Sequence, residues 1–292
     1  MAHTTSLRQT DPTSCIIAIA NQKGGVGKTT TAVNLATALA ANHKRVLLID
    51  ADPQGNASTG LGLTAKERDV TTYTLLHDPT AAQEAVQKTL VPHLDLIPAS
   101  PDLAAADVEL VATPDRLQRL KQALARVTHT YEYIFLDCPP SLGLLTLSAL
   151  TAAHKVLVPL QCEFYALEGL SHLLQNIKRV QSKLNPGLEL QGIVLTMHQK
   201  RSVLNQQVAE DAQRHLGHKI YKTLIPRNIR LSEAPSFGKP ALLHDLNCTG
   251  SQAYIALAQE FMQREAHGSG GASTSHTSPW ADTTTAGMEA PL

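Results

Sequence analysis

A lysine that follows closely spaced glycines, with hydroxyls directly behind it, is a combination that can hold a chain of phosphates. Here Gly24, Gly25 and Gly27 precede Lys28, Thr29 and Thr30 in the run KGGVGKTT. Glycines let successive backbone N–H groups curl around an anion, because a β-carbon would clash or block the required φ. Val26 lies between them and belongs to the same cradle. Lys28 would place its ammonium between the β- and γ-phosphates, and the Thr29 hydroxyl would ligate Mg²⁺. The helix that begins here aims its positive N-terminus at the same anion. The general pattern G-x-x-x-x-G-K-[ST] asks for glycine where this chain has Gln22, and an additional lysine, Lys23, stands at the start of the loop.

Two acidic positions can complete such a site. The run RVLLID leads into ADPQGNAST and puts Asp52 just past the end of a strand, where ligands of open α/β sheets collect. Asp50, at the strand end itself, reads as a hydrogen-bonding group. The run YIFLDCPPSLG ends its apolar stretch at Asp137, a Walker-B pattern in which the carboxylate holds Mg²⁺ through a water. Pro139 and Pro140 stiffen the backbone that follows. Cys138 reads as a packed small residue.

Positioning these groups takes a particular architecture. Short Val/Ile/Leu-rich runs at 15–21, 45–50, 94–98, 133–137, 155–160, 190–196 and 220–224 read as buried strands. Helix-period patterns fall at 28–41, 102–110, 114–127, 144–153, 167–184, 203–216 and 251–265. That alternation predicts an α/β fold, a doubly wound and mostly parallel sheet with helices on both faces, of the P-loop NTPase type. At 43% hydrophobic and 4% aromatic, the core must rest on aliphatic side chains, as such a sheet does. The expected organisation is a short loose segment at 1–14, one ATPase domain at 15–265, and a Gly/Ser/Thr-rich tail at 266–292 that buries little and is expected to be disordered. Four scattered cysteines without a C-x-x-C pair argue against a disulfide scaffold or zinc site. With no apolar leader or bilayer-length run, a cytoplasmic protein is expected.

KGGVGKTT matches the deviant Walker-A signature, and the chain resembles the family that includes ParA/Soj partition ATPases, MinD, ArsA and the nitrogenase iron protein. DADPQGNAS, DCPPSLG, VPLQCEFYALEGL and KTLIPRNIRLSEAPSFGKP are each similar to ParA/Soj segments, in the same order. The resemblance implies that Lys23 reaches across a nucleotide-sandwich homodimer to the partner's ATP, where an added cation neutralises charge building on the γ-phosphate. It implies that Asp52 positions the attacking water and that Pro226 and Asn228 lie near the adenine. It also implies nonspecific binding of double-stranded DNA by Arg201 and Arg230, assisted by Lys200, with release by hydrolysis that a ParB-type centromere-binding protein stimulates. The ATP-bound form would then associate with the nucleoid.

Charge gives a separate indication. Lys+Arg and Asp+Glu balance at 25 each, yet residues 178–230 carry ten Lys/Arg against three acids. Such a region suggests one surface that meets a polyanion, and both arginines lie in it. Around Arg201 the chain reads QKRSV where relatives usually carry D-[AS]-R-T-N, so the match is looser there than at Arg230. A membrane-associated MinD-like regulator would need a basic amphipathic C-terminal helix, and the residues after His267 contain no Lys or Arg. A ParA-like protein that positions a cargo other than DNA is the remaining alternative.

Overall fold

The computed structural model describes residues 14–163 and 166–269. The loose segments expected at 1–14 and 266–292 therefore lie outside the described residues, apart from Ser14 and 266–269. Seven strands form one sheet: β1 (Cys15–Ile19), β2 (Val46–Asp50), β3 (Gln87–Lys88), β4 (Leu94–Ile97), β5 (Tyr133–Asp137), β6 (Lys155–Gln161) and β7 (Glu189–Thr196). Their spatial order is β3-β4-β2-β5-β1-β6-β7, parallel throughout except that β3 runs against β4. The α-helices are α1 (Lys28–Ala41), α2 (Asn56–Gly60), α3 (Thr72–His77), α4 (Ala106–Glu109), α5 (Arg119–Leu124), α6 (Leu144–Ala152), α7 (Ala166–Lys183), α8 (Val203–Leu216), α9 (Ile229–Glu233), α10 (Ala241–His244) and α11 (Thr249–Ser269).

The strands bury both faces, and their alternation divides the core in two. Ile16 and Ala18 of β1, with Ile134 and Leu136 of β5, pack into the cluster that includes α5 to α8. Ile17, Ile19 and Phe135 face the other way, against Ala32, Leu35 and Leu39 of α1 and Leu257 and Phe261 of α11. This is the doubly wound arrangement expected, and it fixes the functional end. Ile19, Asp137 and Asp50 are register partners across β1, β5 and β2, so three parallel strands finish at one level.

Four expectations need correction. Residues 220–224 do not form a strand: Ile220 makes one isolated bridge to Ile193. The Lys222 and Thr223 amides instead donate to the Glu260 carboxylate of α11, both at 2.9 Å. Tyr221 then lies flat where β7 has Gly192, whose added β-carbon would stand 2.7 Å from the ring. The helix expected at 114–127 is reduced to α5. The one at 102–110 opens as a 3-10 turn before α4, with Leu103 N–H reaching back only to Ser100. The last helix continues past 265 to Ser269, and β3, only two residues long, has too little sequence for a period to register.

Candidate functional site

The loop after β1 folds over its own lysine. Gly25 and Gly27 adopt φ of 74° and 86°, a left-handed conformation that side chains rarely take. A β-carbon added at Gly25 would project into open space, and one at Gly27 would touch Thr196 at 3.9 Å. Neighbouring strands pin the loop from outside: Thr196 Oγ1 of β7 donates to the Val26 carbonyl at 2.8 Å. Asn21 Nδ2 donates to the Pro159 carbonyl at 2.8 Å, while Asn21 Oδ1 accepts from Lys23 N–H at 3.1 Å. Lys28 is buried, and its Nζ donates to the Lys23 carbonyl at 3.1 Å. Burial lowers its pKa, and the Asp137 charge opposes that fall most strongly.

Asp50 and Asp137 stand side by side on β2 and β5, both without solvent exposure, yet their surroundings differ. Asp50 Oδ2 accepts from Ser58 N–H at 2.8 Å and from Ser58 Oγ at 2.7 Å, and Oδ1 accepts from Asp52 N–H at 3.3 Å. Burial nevertheless pushes its pKa up to about 6. Asp137 has no hydrogen-bond partner on either oxygen. Burial and then the neighbouring Asp50 charge raise its pKa well above the ordinary carboxylate range, with Thr29 and Lys28 opposing. A buried carboxylate left without donors is costly unless something else satisfies it. A divalent cation with its own waters, held between Asp137 and Thr29, fits that requirement.

Asp52 follows at the mouth, largely buried, with Oδ1 accepting from Gln54 N–H at 3.0 Å and its carbonyl accepting from Gly55 N–H at 2.9 Å. Cys138 is buried, its thiol pKa raised by burial first and then by Asp137, consistent with a packed residue. The loop after it is anchored by a residue the sequence did not single out: Asp107 of α4 accepts from Leu144 N–H at 2.9 Å, at the start of α6. Asn21, Thr196 and Ser58 were also missed. Their type is common; the sheet order brings Thr196 to the loop, while Asn21 beside the loop and Ser58 beside Asp50 carry no mark of their bonds.

A cavity of about 140 Å³ joins Gly27 and Thr30 to Pro226 and Asn228, which the sequence separates widely. The Asn228 amide is already engaged, capping α9 through Arg230 N–H at 2.8 Å and donating to Thr249 Oγ1 at 2.8 Å. Lys23 pairs with Glu163 of the same chain, and its side chain remains 55% exposed. The segments bearing Arg201 and Arg230 run together. His198 N–H donates to the Ile225 carbonyl at 3.0 Å, and Arg227 N–H returns to the His198 carbonyl at 3.1 Å. Lys200 and Arg201 are exposed on the turn before α8. Arg230 is exposed as well, and its guanidinium meets Glu233 at 2.9 Å and Asp245 at 3.5 Å. Among the described residues no helix is long and apolar enough to cross a membrane.

Comparison with known proteins agrees with this geometry. Residues 14–190 match the family profile described as an AAA domain. The chromosome partitioning protein ParA of Caulobacter vibrioides is 57% identical over 252 residues, covering 86% of this chain and 94% of that one. The sporulation initiation inhibitor protein Soj of Bacillus subtilis is 53% identical over 245 residues, 84% and 97% of the two chains. Among solved structures, cobyrinic acid a,c-diamide synthase from Mycobacterium smegmatis with bound ADP and magnesium superposes with a TM-score of 0.76. It is 34% identical and covers 87% of this chain and 96% of its own.

Proposed function

The chain belongs to the ParA/Soj family of chromosome-partitioning P-loop ATPases, and from that premise we propose that it is an ATP-driven switch that partitions DNA. The observation that carries the reading is the cradle itself. Left-handed Gly25 and Gly27, buried Lys28 and the unpartnered Asp137 carboxylate converge on one space at the carboxyl ends of β1, β2 and β5. Backbone N–H groups from Gly24 to Lys28 hold the phosphates, and Lys28 exchanges the Lys23 carbonyl for phosphate oxygens. Thr29 and Asp137 hold Mg²⁺, which when bound neutralises phosphate charge. Asp52, steadied by Gln54 N–H, accepts a hydrogen bond from the attacking water and aims it.

Lys23 connects hydrolysis to assembly. In a single chain it pairs with Glu163; in the ATP-bound homodimer it leaves that carboxylate and reaches the partner's nucleotide. Pro226 and the backbone beside Asn228 flank the base. Arg201 and Arg230, with Lys200, then offer a joint cationic edge to DNA phosphates, a contact without sequence preference and steeply dependent on salt. A ParB-type protein that stimulates hydrolysis releases the dimer from the nucleoid.

The test is a gel shift of nonspecific duplex DNA with Asp52→Ala protein, run with ATP and with ADP across a salt series. Binding with ATP alone, weakened by salt and lost in Arg201→Glu and Arg230→Glu backgrounds, is the expected result. A demonstrably formed dimer that binds no DNA under any nucleotide would overturn the DNA part of the reading.

A further inference from the structure

We propose that Arg68 is a positioning residue for Asp52, its guanidinium packed into the space beside Gly55 where a side chain would otherwise project. The inference rests on the reading of Asp52 as the residue that aims the water. Gly55 sits at the N-terminus of α2 with φ of 63°, closing the turn that starts at Asp52. A β-carbon built on it would lie 2.2 Å from Arg68 Nη1 and 3.4 Å from Cζ. Left-handed φ already disfavours a side chain there, and a β-carbon would in addition have to displace the guanidinium from its acceptors.

Arg68 reaches three acceptors from that position, two carbonyls and one hydroxyl. Nη2 donates to Thr59 Oγ1 and to the Leu63 carbonyl, both at 2.8 Å, and Nη1 donates to the Ala99 carbonyl at 3.3 Å. Thr59 Oγ1 in turn donates to the Gly55 carbonyl at 3.1 Å, and Gly55 N–H donates to the Asp52 carbonyl at 2.9 Å. An unbroken relay thus runs from the guanidinium to the backbone of Asp52. The Ala99 end is tied to the same centre, because Ala99 N–H donates to Ser58 Oγ at 3.1 Å and that hydroxyl donates to Asp50. Arg68 itself is presented by a capping box in which Glu67 accepts from Thr64 N–H at 2.8 Å. A planar fork can serve several acceptors at fixed angles, which a single ammonium cannot.

The segment from 52 to 60 must move little while water is aimed, since small misplacement of a reacting group is expensive in rate. Arg68 touches neither the nucleotide loop nor Asp52's carboxylate in the described hydrogen bonds, so its removal acts on turnover through the turn.

The experiment compares Asp52→Ala, Arg68→Ala, Arg68→Lys, Gly55→Ala and the Gly55→Ala/Arg68→Ala double variant. ATP turnover and nucleotide affinity are measured, together with thermal unfolding and amide exchange at 52–60 in nucleotide-free protein. Arg68→Ala is expected to lower kcat about tenfold with affinity within about twofold, to accelerate exchange at 52–60, and to be rescued only weakly by lysine. Gly55→Ala should lower the unfolding midpoint, and by about half as much or less once Arg68 is alanine, because the clash is gone. Normal kcat in Arg68→Ala beside a slow Asp52→Ala overturns the proposal, and so do strictly additive losses for the Gly55/Arg68 pair. A normal rate in Asp52→Ala overturns the reading of Asp52, and the positioning role with it, whatever the exchange data give.

Discussion

The centre of the sheet and its β7 edge both carry charge that the proposed function directs at phosphate, and they carry it under opposite conditions. At the centre, Lys28 is buried and Asp50 and Asp137 have no solvent exposure, at the level where β1, β2 and β5 finish. At the edge, Lys200, Arg201 and Arg230 stand in water, and Arg230 has exposed acidic partners that it can exchange for others. A buried charge interacts through a medium that screens it weakly, so each central group is individually decisive. An exposed charge is screened and nearly interchangeable, so the edge acts by number and by salt-dependent attraction. Such a division suits the proposed switch, whose chemistry would have to be discriminating and whose grip on DNA indifferent to sequence.

The comparison can be broken at either end. Replacing Lys28 with alanine should reduce ATP affinity by about 100-fold or more, measured by titration of a fluorescent nucleotide; a loss of only about twofold would mean the central charge is not decisive. Asp137→Asn should raise the stability of nucleotide-free protein by about 1–2 kcal/mol in chemical denaturation while removing the gain that Mg²⁺ and nucleotide give the parent. The sign also predicts a pH dependence. Asp50 and Asp137 hold their protons to higher pH in the fold than in the unfolded chain, where the ordinary value is 3.8. Asp50's contribution is therefore fully present below that value and is lost as pH rises through about 6, and Asp137's, raised by burial and by Asp50, is lost in the same direction. The Asn variant should show a flatter profile over that window.

At the edge the effects should shrink. Arg230→Glu should weaken DNA binding by about tenfold or more, enough to abolish the gel shift, and lower the salt slope by about 1, as followed by fluorescence anisotropy, with ATP affinity intact. Its effect on folding stability should stay within about 1 kcal/mol, since exposed ion pairs contribute little. Lys200→Ala should cost DNA affinity about twofold, the smallest change of the set. Equal losses in Lys200→Ala and Arg230→Ala would show that the edge reads charge alone; a far larger loss in Arg230→Ala would show geometric recognition there.

What could be read from the sequence followed the same division. The nucleotide loop was legible because its chemistry is local: glycines, lysine and threonine lie within eight residues, between a strand and a helix. Asp137 was legible because a strand end is marked by where its apolar run stops. Asp50's bond to Ser58, the Thr196 tie to Val26, the Asp107 cap on α6 and the Arg68 relay were not. Each joins residues through tertiary contacts, and each uses a side chain that is unremarkable in its own neighbourhood. The failed strand at 220–224 has the same cause. Its composition suits a strand, and Tyr221 and Ile225 N–H do donate to Ile193 and Leu195 of β7, but Glu260, nearly forty residues on, takes the Thr223 amide between them and breaks the ladder.

That capture by Glu260 has a consequence for how copies of this chain can join. At one margin of the sheet, the segment from Ile220 to Ile225 lies along β7 and turns its intervening amides toward α11; at the other, β3 is two residues long and carries Lys88. Neither border offers a stranger a row of main-chain donors and acceptors to extend, so stacking of sheet on sheet into a lasting fibre has no template. Any union between copies has to be made by side chains and loops, and on the proposed reading those are the groups around the nucleotide. A bond of that kind can be dissolved when the nucleotide is spent, which a continuous β-ladder could not.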